Sequence, residues 1–469
     1  MVARPQSASR TRATVRSVPI RDAWRVVSIL FALLVVAVVL LCAAKSARAA
    51  AGETDWVKPW NAPRPGEVYV AKAQARPGGG VYVAASLRRP SGNIDIVVLR
   101  YSAGGRLVWT QPYDGPAHGL DWVKGLAVDR HGDVVVCGSS YSASGQDDWI
   151  VLCYSPNGER RWARRLAGSF GRADVPEAVA VDARGNVVVV GSITRRKTKA
   201  DWCVVKYDRS GVLLWRTTMT GSVAGFDRAH ALVIDPHNAD IYVTGRMHAS
   251  SSGDDAVTIR YRPDGRRVWR QRWDGAAGGP DAGLSIAISD GGLAVAGVTG
   301  SPGSGDDGLV LKYAKSGERR WARVVDGGQG ASGVDRFTTV GVDAAGNVVA
   351  GGEVTTSPAQ GEDLAVVRYR ASGTPGGWWQ LPGAGPDETT LDLRVTPEGD
   401  TYAVGTSVGS SSGDAVVAGL STDLSPLWPT LTYDRADSDD LAQSVTLSSG
   451  ALYVAGVSGV DLLVMKIVR

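Results

Sequence analysis

Cysteine, phenylalanine, methionine and histidine are scarce in this 469-residue chain, which has four Cys, four Phe, four Met and five His residues. Cys42 lies in an apolar N-terminal run, so Cys137, Cys153 and Cys203 are the thiols of the remaining chain. Three thiols do not make a disulfide framework, and the fold must depend on its apolar core. A Cys137–Cys153 bond is an alternative to buried free thiols, because both residues fall on consecutive predicted strands.

Catalytic motifs are also missing. The His residues at 118, 131, 230, 237 and 248 are scattered without metal-ligand spacing. The sequence contains no G-x-S-x-G elbow, no H-E-x-x-H motif and no phosphate loop. We therefore predict no catalytic residue and no cofactor.

The net charge of +4 comes from the N-terminus. Residues 1–50 hold eight basic residues and one acidic residue, which leaves 43 basic and 46 acidic residues in 51–469. This near-neutral body argues against nucleic-acid binding. The basic stretch "GERRWARR" at Gly158–Arg165, echoed at Gly317–Arg323, is better interpreted as an edge strand on which charge discourages strand-to-strand association.

The N-terminus has the pattern of an export signal. An Arg-rich segment precedes the apolar run Val26–Ala44, and "ARAA" at Ala47–Ala50 offers a cleavage site after Ala49. The run of 19 residues is also close to the length that spans a bilayer, so an uncleaved signal anchor is the alternative. Both hypotheses export residues 51–469 and leave no other membrane segment.

A repeat of about 50 residues fills the rest of the chain. Each copy has an Asp before an apolar run, then a turn with Gly, then a Trp. The Asp positions are Asp95, Asp148, Asp201, Asp255, Asp307, Asp363, Asp414 and Asp461. The Trp positions are Trp109, Trp162, Trp215, Trp269, Trp321, Trp379 and Trp428. A residue type repeated in every copy fills the same structural position, so we predict that these Trp rings pack between neighbouring units.

Each copy contains four short strands, named A to D. The A–B and C–D turns are tight and carry Gly or Asn, and the B–C loop is rich in Gly and Ser. No helical period follows residue 50. Four-stranded units repeated eight times predict an all-β, eight-bladed β-propeller over residues 51–469.

The N-terminal strand is predicted to close the ring. The last copy ends after strand C, whereas "DWVKPWNAP" at Asp55–Pro63 resembles a strand D. Trp56 aligns with Trp109, and Trp60 aligns with Tyr113. Strand D of blade eight should therefore come from the N-terminus, which removes the open edges of the array.

The repeat units "D-x-x-V-x-K-Y-D-x-S-G-x-x-x-W" and "A-V-D-x-x-G-N-V-x-V-x-G" resemble the bacterial SBBP-type β-propeller repeats over essentially residues 55–469. The resemblance implies an exported or surface-bound propeller. It extends in part to the outer-strand Trp pattern of quinoprotein propellers, although the distance from Asp208 to Trp215 is one residue shorter here.

A second set of Asp residues precedes strand A. Its members include Asp121, Asp174, Asp227, Asp281, Asp335, Asp387 and Asp440. The D–A and B–C loops leave a propeller on the same face, so this face should carry two rings of carboxylates. We expect these carboxylates to accept hydrogen bonds from loop backbone N–H groups. The alternative is Ca²⁺ binding, for which Asp121, Asp174, Asp227 and Asp335 are the candidates.

Other side chains could form individual contacts. The non-repeating Trp122, Trp149, Trp202 and Trp273 are candidates for surface contacts, and the basic loop Thr194–Lys199 is a candidate for an acidic polymer or for simple solvation.

The sequence favours a monomeric, exported or cell-surface propeller that binds a protein or glycan. The alternatives are a propeller-type enzyme (a lyase, a glycosidase or a quinoprotein relative) and a structural or sensor ectodomain held by an uncleaved anchor. A deep central pocket lined by non-repeating His, Asp and Arg would favour the enzyme.

Overall fold

The computed structural model describes these residues: 51–60, 67–142, 146–169, 173–249, 253–275, 279–301, 305–327, 333–357, 361–381, 389–408, 412–435, 438–448 and 450–469. Regular structure within these ranges consists of β-strands, with no helix. This part of the chain therefore has no helix that is long and apolar enough to cross a membrane. The predicted export signal, residues 1–50 with its cleavage site, lies outside the described residues.

Within the described residues, thirty-four strands form eight blades, whose four main strands pair antiparallel. Blade one contains β2 (Val68–Ala75), β3 (Val81–Arg88), β4 (Ile94–Tyr101) and β5 (Leu107–Tyr113). Blade two contains β6 (Asp121–Val128), β7 (Val134–Tyr141), β8 (Asp147–Tyr154) and β9 (Arg160–Leu166). Blade three contains β10 (Val175–Val181), β11 (Val187–Arg195), β12 (Lys199–Tyr207) and β13 (Leu213–Met219), with the short β14 (Gly225–Phe226) paired to β12.

Blade four contains β15 (Arg228–Ile234), β16 (Ile241–Ala249), β17 (Gly253–Tyr261) and β18 (Arg267–Trp273). Blade five contains β19 (Ala282–Ser289), β20 (Gly292–Ser301), β21 (Gly305–Tyr313) and β22 (Arg319–Val325), with the short β23 (Gly333–Val334) paired to β21. Blade six contains β24 (Arg336–Val342), β25 (Val348–Ser357), β26 (Gly361–Tyr369) and β27 (Pro375–Gln380).

Blade seven contains β28 (Thr389–Val395), β29 (Thr401–Val408), β30 (Gly413–Leu420) and β31 (Leu431–Tyr433). Blade eight contains β32 (Asp440–Ser448), β33 (Ala451–Ser458), β34 (Asp461–Val468) and β1 (Thr54–Trp60). The predicted eight-bladed, all-β propeller is confirmed.

The four strands of each blade run from an inner strand A to an outer strand D. The D–A and B–C loops lie at one end of the ring, which we call the loop face. The A–B and C–D turns lie at the other end, which we call the turn face. This geometry follows from antiparallel hairpins, because each tight turn reverses the chain direction.

The apolar core lies between neighbouring blades. Strands B and C are covered on both faces and are therefore largely apolar, as in "VVVVGSI" of β11, whose first eight residues are all buried. Each buried cluster joins two blades. One cluster, for example, combines Val151 and Trp162 of blade two with Val189 and Cys203 of blade three.

The N-terminal strand closes the ring as predicted. β1 pairs antiparallel with β34, and Trp56 lies opposite Lys466 just as Trp109 lies opposite Arg100 in blade one. Gly52 N–H donates to the Val468 carbonyl at 2.8 Å. Together with the Val468 N–H bond to the Glu53 carbonyl at 2.9 Å, this contact reproduces the hydrogen bonds of a C–D turn between β34 and β1.

The three cysteines outside residues 1–50 are free and buried. Cys137 lies opposite Val151, and Cys153 lies opposite Val135, so the two thiols are offset along the hairpin. The alternative of a Cys137–Cys153 bond is wrong, because the register pairs each cysteine with a valine.

Candidate functional site

The repeated tryptophans connect seven of the eight blades to the next one at the turn face. The Trp162 ring covers Gly211 of blade three, where a Cβ atom would lie 2.7 Å from the ring. Its indole N–H also donates to the Arg209 carbonyl at 2.9 Å. The same N–H to turn-carbonyl hydrogen bond is made by Trp56, Trp109, Trp215, Trp269 and Trp321. Trp428 covers Gly52 in the same manner, across the ring closure.

Blade six departs from this arrangement. Lys312 in blade five pairs with Trp321, but its counterpart Arg368 pairs with Gly377. Gly377, and not Trp379, therefore occupies the repeated Trp position, and the sequence alignment of Trp379 was displaced by two residues. Leu424 stands at positive φ (64°) in the next turn, where other blades have Gly, and it lies against Gly377. The large and small residues have exchanged places at this junction.

The "GERRWARR" strand makes internal contacts rather than presenting a free basic surface. Arg161 pairs with the buried Asp133 at 3.0 Å, and Arg164 donates to the Gly211 carbonyl at 2.6 Å. Arg165 binds Ser140 and lies 3.4 Å from Asp148. These contacts add to the electrostatic protection expected for an edge strand.

The carboxylates before strand A anchor the loop face. Asp227 accepts N–H bonds from Gly221 at 2.6 Å and from His248 at 2.7 Å. Asp335 does the same with Gly327 and Thr355, both at 2.6 Å. One carboxylate thus fixes a D–A loop to the end of a strand B. The equivalent loop bonds are made by Asp121, Asp174, Asp281 and Asp440, and Asp387 lies outside the described residues.

The carboxylates before strand C bind side chains from other strands and loops. Asp255 pairs with Arg272 of strand D, and Asp363 accepts from Gln380 at 2.5 Å. Asp201 accepts from Thr220 at 3.1 Å, and Asp461 pairs with Arg435 at 2.6 Å. The remaining members are Asp95, with Arg89 at 2.6 Å, Asp148, with Arg165, and Asp307 and Asp414.

Three junctions bring carboxylates of both rings together with a third one. The trios are Asp95–Asp114–Asp121, Asp255–Asp274–Asp281 and Asp307–Asp326–Asp335, each with ligand oxygens within 4.8 Å of one another. Burial raises the pKa of Asp121 to about 6 and also raises the pKa of Asp335. Carboxylate oxygens are Ca²⁺ ligands, but His118 and Arg89 bind the first trio and Arg272 binds the second. Asp174 and Asp227 belong to no such trio among the described residues.

The loop face also carries exposed apolar side chains. The residue immediately before the strand-A Asp is exposed at three junctions: Leu120 (40%), Phe226 (54%) and Val334 (38%). The backbone there pairs in parallel with the start of a strand C, as in β14 and β23, which fixes these side chains on the face. Their identities differ, whereas the neighbouring Asp is repeated.

Two of the four non-repeating tryptophans are not surface residues. Trp149 and Trp202 are completely buried, and Trp149 donates to the Ser192 carbonyl at 3.0 Å. The expectation of surface contacts is wrong for these two, because they begin strand C, which lies inside the blade. Trp122 is half-buried against Tyr69, and Trp273 is half-buried beneath Arg319. In the basic loop Thr194–Lys199, only some of the positive charge is free to meet a ligand. Arg195 lies 3.4 Å from Asp201, whereas Arg196 and Lys197 are exposed.

A β-bulge on the inner strand is the main feature that the sequence analysis missed. In blades two to eight the bulge lies opposite the glycine or its neighbour in the middle of strand B, and blade one has it nearer the loop face. The bulged residues are Tyr69, Lys124, Glu177, His230, Leu284, Thr338, Leu391 and Gln443. Bulges aim side chains in new directions and are common beside active sites.

The signal for these bulges is a strand-B glycine. A Cβ atom on Gly191 would lie 2.2 Å from the Val175 carbonyl, and one on Gly245 would lie 2.0 Å from the Arg228 carbonyl. Only glycine allows the bulged strand to approach so closely. Blade one has Ala85 at this level and no bulge opposite it, which supports the connection.

The inner strands surround a central cavity of about 400 Å³. Its lining includes the non-repeating charged residues Lys72, Lys124, Glu177, Asp392 and Arg394. Both acids are paired: Glu177 lies 3.2 Å from Arg228, and Asp392 lies 2.5 Å from Arg394. Burial raises the pKa of Glu177 despite the nearby cations, and burial beside Arg228 and Arg246 lowers the pKa of His230 to about 3.

Comparison with known proteins supports the fold. A family described as "Domain of unknown function (DUF5122) beta-propeller" matches residues 132–160. No curated protein matches the sequence. Among solved structures, the C-terminal WD40 domain of Sif2 is 10% identical, with a TM-score of 0.53, and the match covers 88% of this chain and 98% of that one.

Two structures of Sqt1 are similar in the same way. Sqt1 from Chaetomium thermophilum is 11% identical, with a TM-score of 0.56 and coverage of 89% of this chain and 100% of that one. Sqt1 from Saccharomyces cerevisiae is 9% identical, with a TM-score of 0.54 and coverage of 88% and 98%. At these identities the likeness concerns the fold alone.

Proposed function

We propose that this chain is an exported or cell-surface propeller that binds a protein partner through its loop face. The observation that carries the proposal is the set of exposed apolar residues Leu120, Phe226 and Val334, which occupy one repeated backbone position at alternate blade junctions. Rigid scaffolds that present variable loop residues are typical of binding proteins. Exposed apolar side chains grouped on one face are typical of interaction sites.

The repeated contacts explain why this face can vary in sequence. The repeated tryptophans and the described strand-A carboxylates hold blades and D–A loops in place, so the residue before the Asp is free to change. The likeness to WD40 propellers supports an interaction module, and the matched propeller family supports the fold that carries it. The similarity of the repeats to SBBP-type propellers, together with the Arg-rich and apolar N-terminus, supports export.

A capture experiment tests the loop face. The full chain and a Leu120→Ser/Phe226→Ser/Val334→Ser variant are compared as baits for proteins of the outer surface and culture medium. Val212→Ser is the control, because Val212 is at least as exposed (56%) but lies on the turn face, immediately before the outer strand β13. A protein retained by the wild type and the control but lost by the triple variant supports the proposal. Equal capture by all three baits contradicts it, and binding on a glycan array alone would indicate a glycan ligand.

Export is tested separately. N-terminal sequencing of the protein recovered outside the cell should begin at Ala50 if the signal is cleaved after Ala49. A full-length chain retained in the membrane would indicate the anchor, and a cytosolic chain would contradict export.

A second candidate function is a propeller-type enzyme that acts in the central cavity. The observation in its favour is the non-repeating lining, which includes Glu177, Asp392 and Arg394. Against it, each of these acids is already paired with an arginine. Turnover that Glu177→Gln abolishes while the fold is retained would favour the enzyme.

A further inference from the structure

The central cavity has an uneven charge distribution. Blades one and two contribute Lys72 and Lys124 to its wall, and both side chains are half-buried. Among the described residues, neither lysine makes a hydrogen bond or an ion pair. Clefts lined by one sign of charge concentrate ions of the opposite sign, so two unpaired ammonium groups on one wall favour a bound anion.

The acids nearby do not balance these lysines. Glu177 of blade three has four cations around it: Arg228, Lys124, Arg246 and Lys72. Arg228 already binds Glu177 at 3.2 Å, and Arg246 binds Asp254 at 3.1 Å. These two pairs leave both lysines without a bonded carboxylate in the cavity wall, since Asp147, the other carboxylate close enough to feel the charge of Lys124, lies on β8 and does not line the cavity.

The other side of the cavity is internally neutral. Asp392 of blade seven binds Arg394 at 2.5 Å and also accepts N–H from Val445 at 3.0 Å. Neither residue is therefore available to neutralise the lysines. The cavity consequently has two cations on one wall and a compensated ion pair on another.

The backbone explains why Lys124 points into the cavity. Lys124 is the bulged residue of β6, and the bulge is permitted by Gly138, where a Cβ atom would lie 2.1 Å from the Trp122 carbonyl. Lys72 lies on the adjoining strand β2 without a bulge at its level. Two different local geometries thus bring a lysine to the same cavity.

We propose that the central cavity binds a small anion with two or more negatively charged oxygens, a phosphate or a di- or tricarboxylate, through Lys72 and Lys124. The volume of about 400 Å³ lies in the range of small-molecule sites. Lysine ammonium groups bind such oxygens as point charges with rotatable donors. This site is independent of the proposed protein-binding loop face.

Calorimetry and thermal melting of the full chain test the proposal. The probes are inorganic phosphate, succinate and citrate, with sodium chloride at matched ionic strength as the reference. At least one probe should bind at one site and raise the melting temperature above the chloride reference. Phosphate alone would indicate a phosphate ligand, and succinate or citrate alone would indicate a carboxylate ligand. No binding by any of the three overturns the proposal.

Lysine variants locate the site. Lys72→Gln and Lys124→Gln should each weaken binding about tenfold, because each removes a charge-assisted hydrogen bond. Lys58→Gln removes the same charge from an exposed position on β1 and should leave binding unchanged. Equal affinity in all variants, or equal weakening by Lys58→Gln, contradicts the assignment.

Chemical labelling keeps the test decisive if a variant fails to fold. Reductive methylation of the wild-type chain should modify Lys72 and Lys124 more slowly with the bound anion than with chloride, whereas Lys58 should react equally in both. Equal labelling of Lys72 and Lys124 in both solutions overturns the proposal.

Discussion

The indole N–H of Trp162 donates to the Arg209 carbonyl at 2.9 Å, and this bond links the outer strand of blade two to the C–D turn of blade three. The same ring covers Gly211, which has a φ of 79°. The contact explains why the repeat requires both Trp and Gly: the ring needs a surface without a Cβ atom, and the N–H needs the turn carbonyl.

Replacing Gly211 beneath the Trp162 ring should lower the free energy of unfolding by more than backbone strain alone would. Gly211→Ala places a Cβ atom 2.7 Å from Trp162, in addition to forcing alanine into a positive φ. Gly92→Ala is the matched control, because Gly92 has a φ of 90° but no atom within 4 Å of the added Cβ. The control should lose about 1–2 kcal/mol of unfolding free energy, and Gly211→Ala should lose about 1–3 kcal/mol more. Denaturant unfolding measures both, and equal losses would contradict the role of the Trp contact.

Gly377 and Leu424, the small and the large residue that have exchanged places between blades six and seven, can be swapped back by mutation. Gly377→Trp alone should clash with Leu424 and destabilise by about 1–3 kcal/mol, and Leu424→Gly alone should leave a cavity. The double variant restores the arrangement of the other blades, so its loss should be smaller than the sum by about 1 kcal/mol or more. A double-mutant cycle from unfolding measurements checks this coupling, and strict additivity would refute it.

The closure of the ring was predictable from the sequence, because Trp56 repeats both the residue type and the spacing of an outer strand. Trp379 misled the alignment, since a tryptophan two residues beyond the expected position preserves the composition but not the register. Each bulge adds one residue to strand A but none to strand B, and an extra residue in one strand cannot be recognised from a repeat length of about 50 residues. The strand-B glycines marked them, but the positions of Lys72 and Lys124 in one cavity depend on the folded ring.

Lys312 should make stability depend on pH. Lys312 is buried, and its ammonium group donates to the Gly346 carbonyl at 3.3 Å. In blade three the equivalent lysine, Lys206, pairs with Asp182 in the A–B turn. Blade five has Ser289 at that turn position. Burial lowers the pKa of Lys312 from 10.5 to about 8. Between these values the unfolded chain binds the extra proton, so the unfolding free energy should rise with pH in this window and be flat below it.

Comparison with Lys312→Met isolates this effect. The wild type should gain up to about 1.4 kcal/mol per pH unit relative to the variant between pH 8 and 10.5. Lys206→Met is the contrasting control, because it leaves the buried Asp182 without its partner at 3.0 Å and should cost about 3–5 kcal/mol. Parallel pH curves for wild type and Lys312→Met would show that Lys312 does not titrate in this range.

The two functions considered for the strand-A carboxylates can be separated with Asp227 and Asp335. Both accept two backbone N–H bonds, but only Asp335 belongs to an acidic trio among the described residues. If anchoring is their function, Asp227→Ala and Asp335→Ala should each lose about 1–3 kcal/mol, since each leaves buried N–H groups unpaired. The losses should be the same in Ca²⁺ and in chelator. A wild-type melting temperature that rises with Ca²⁺, together with a Ca²⁺-dependent loss in Asp335→Ala but not in Asp227→Ala, would instead establish a calcium site in the trio.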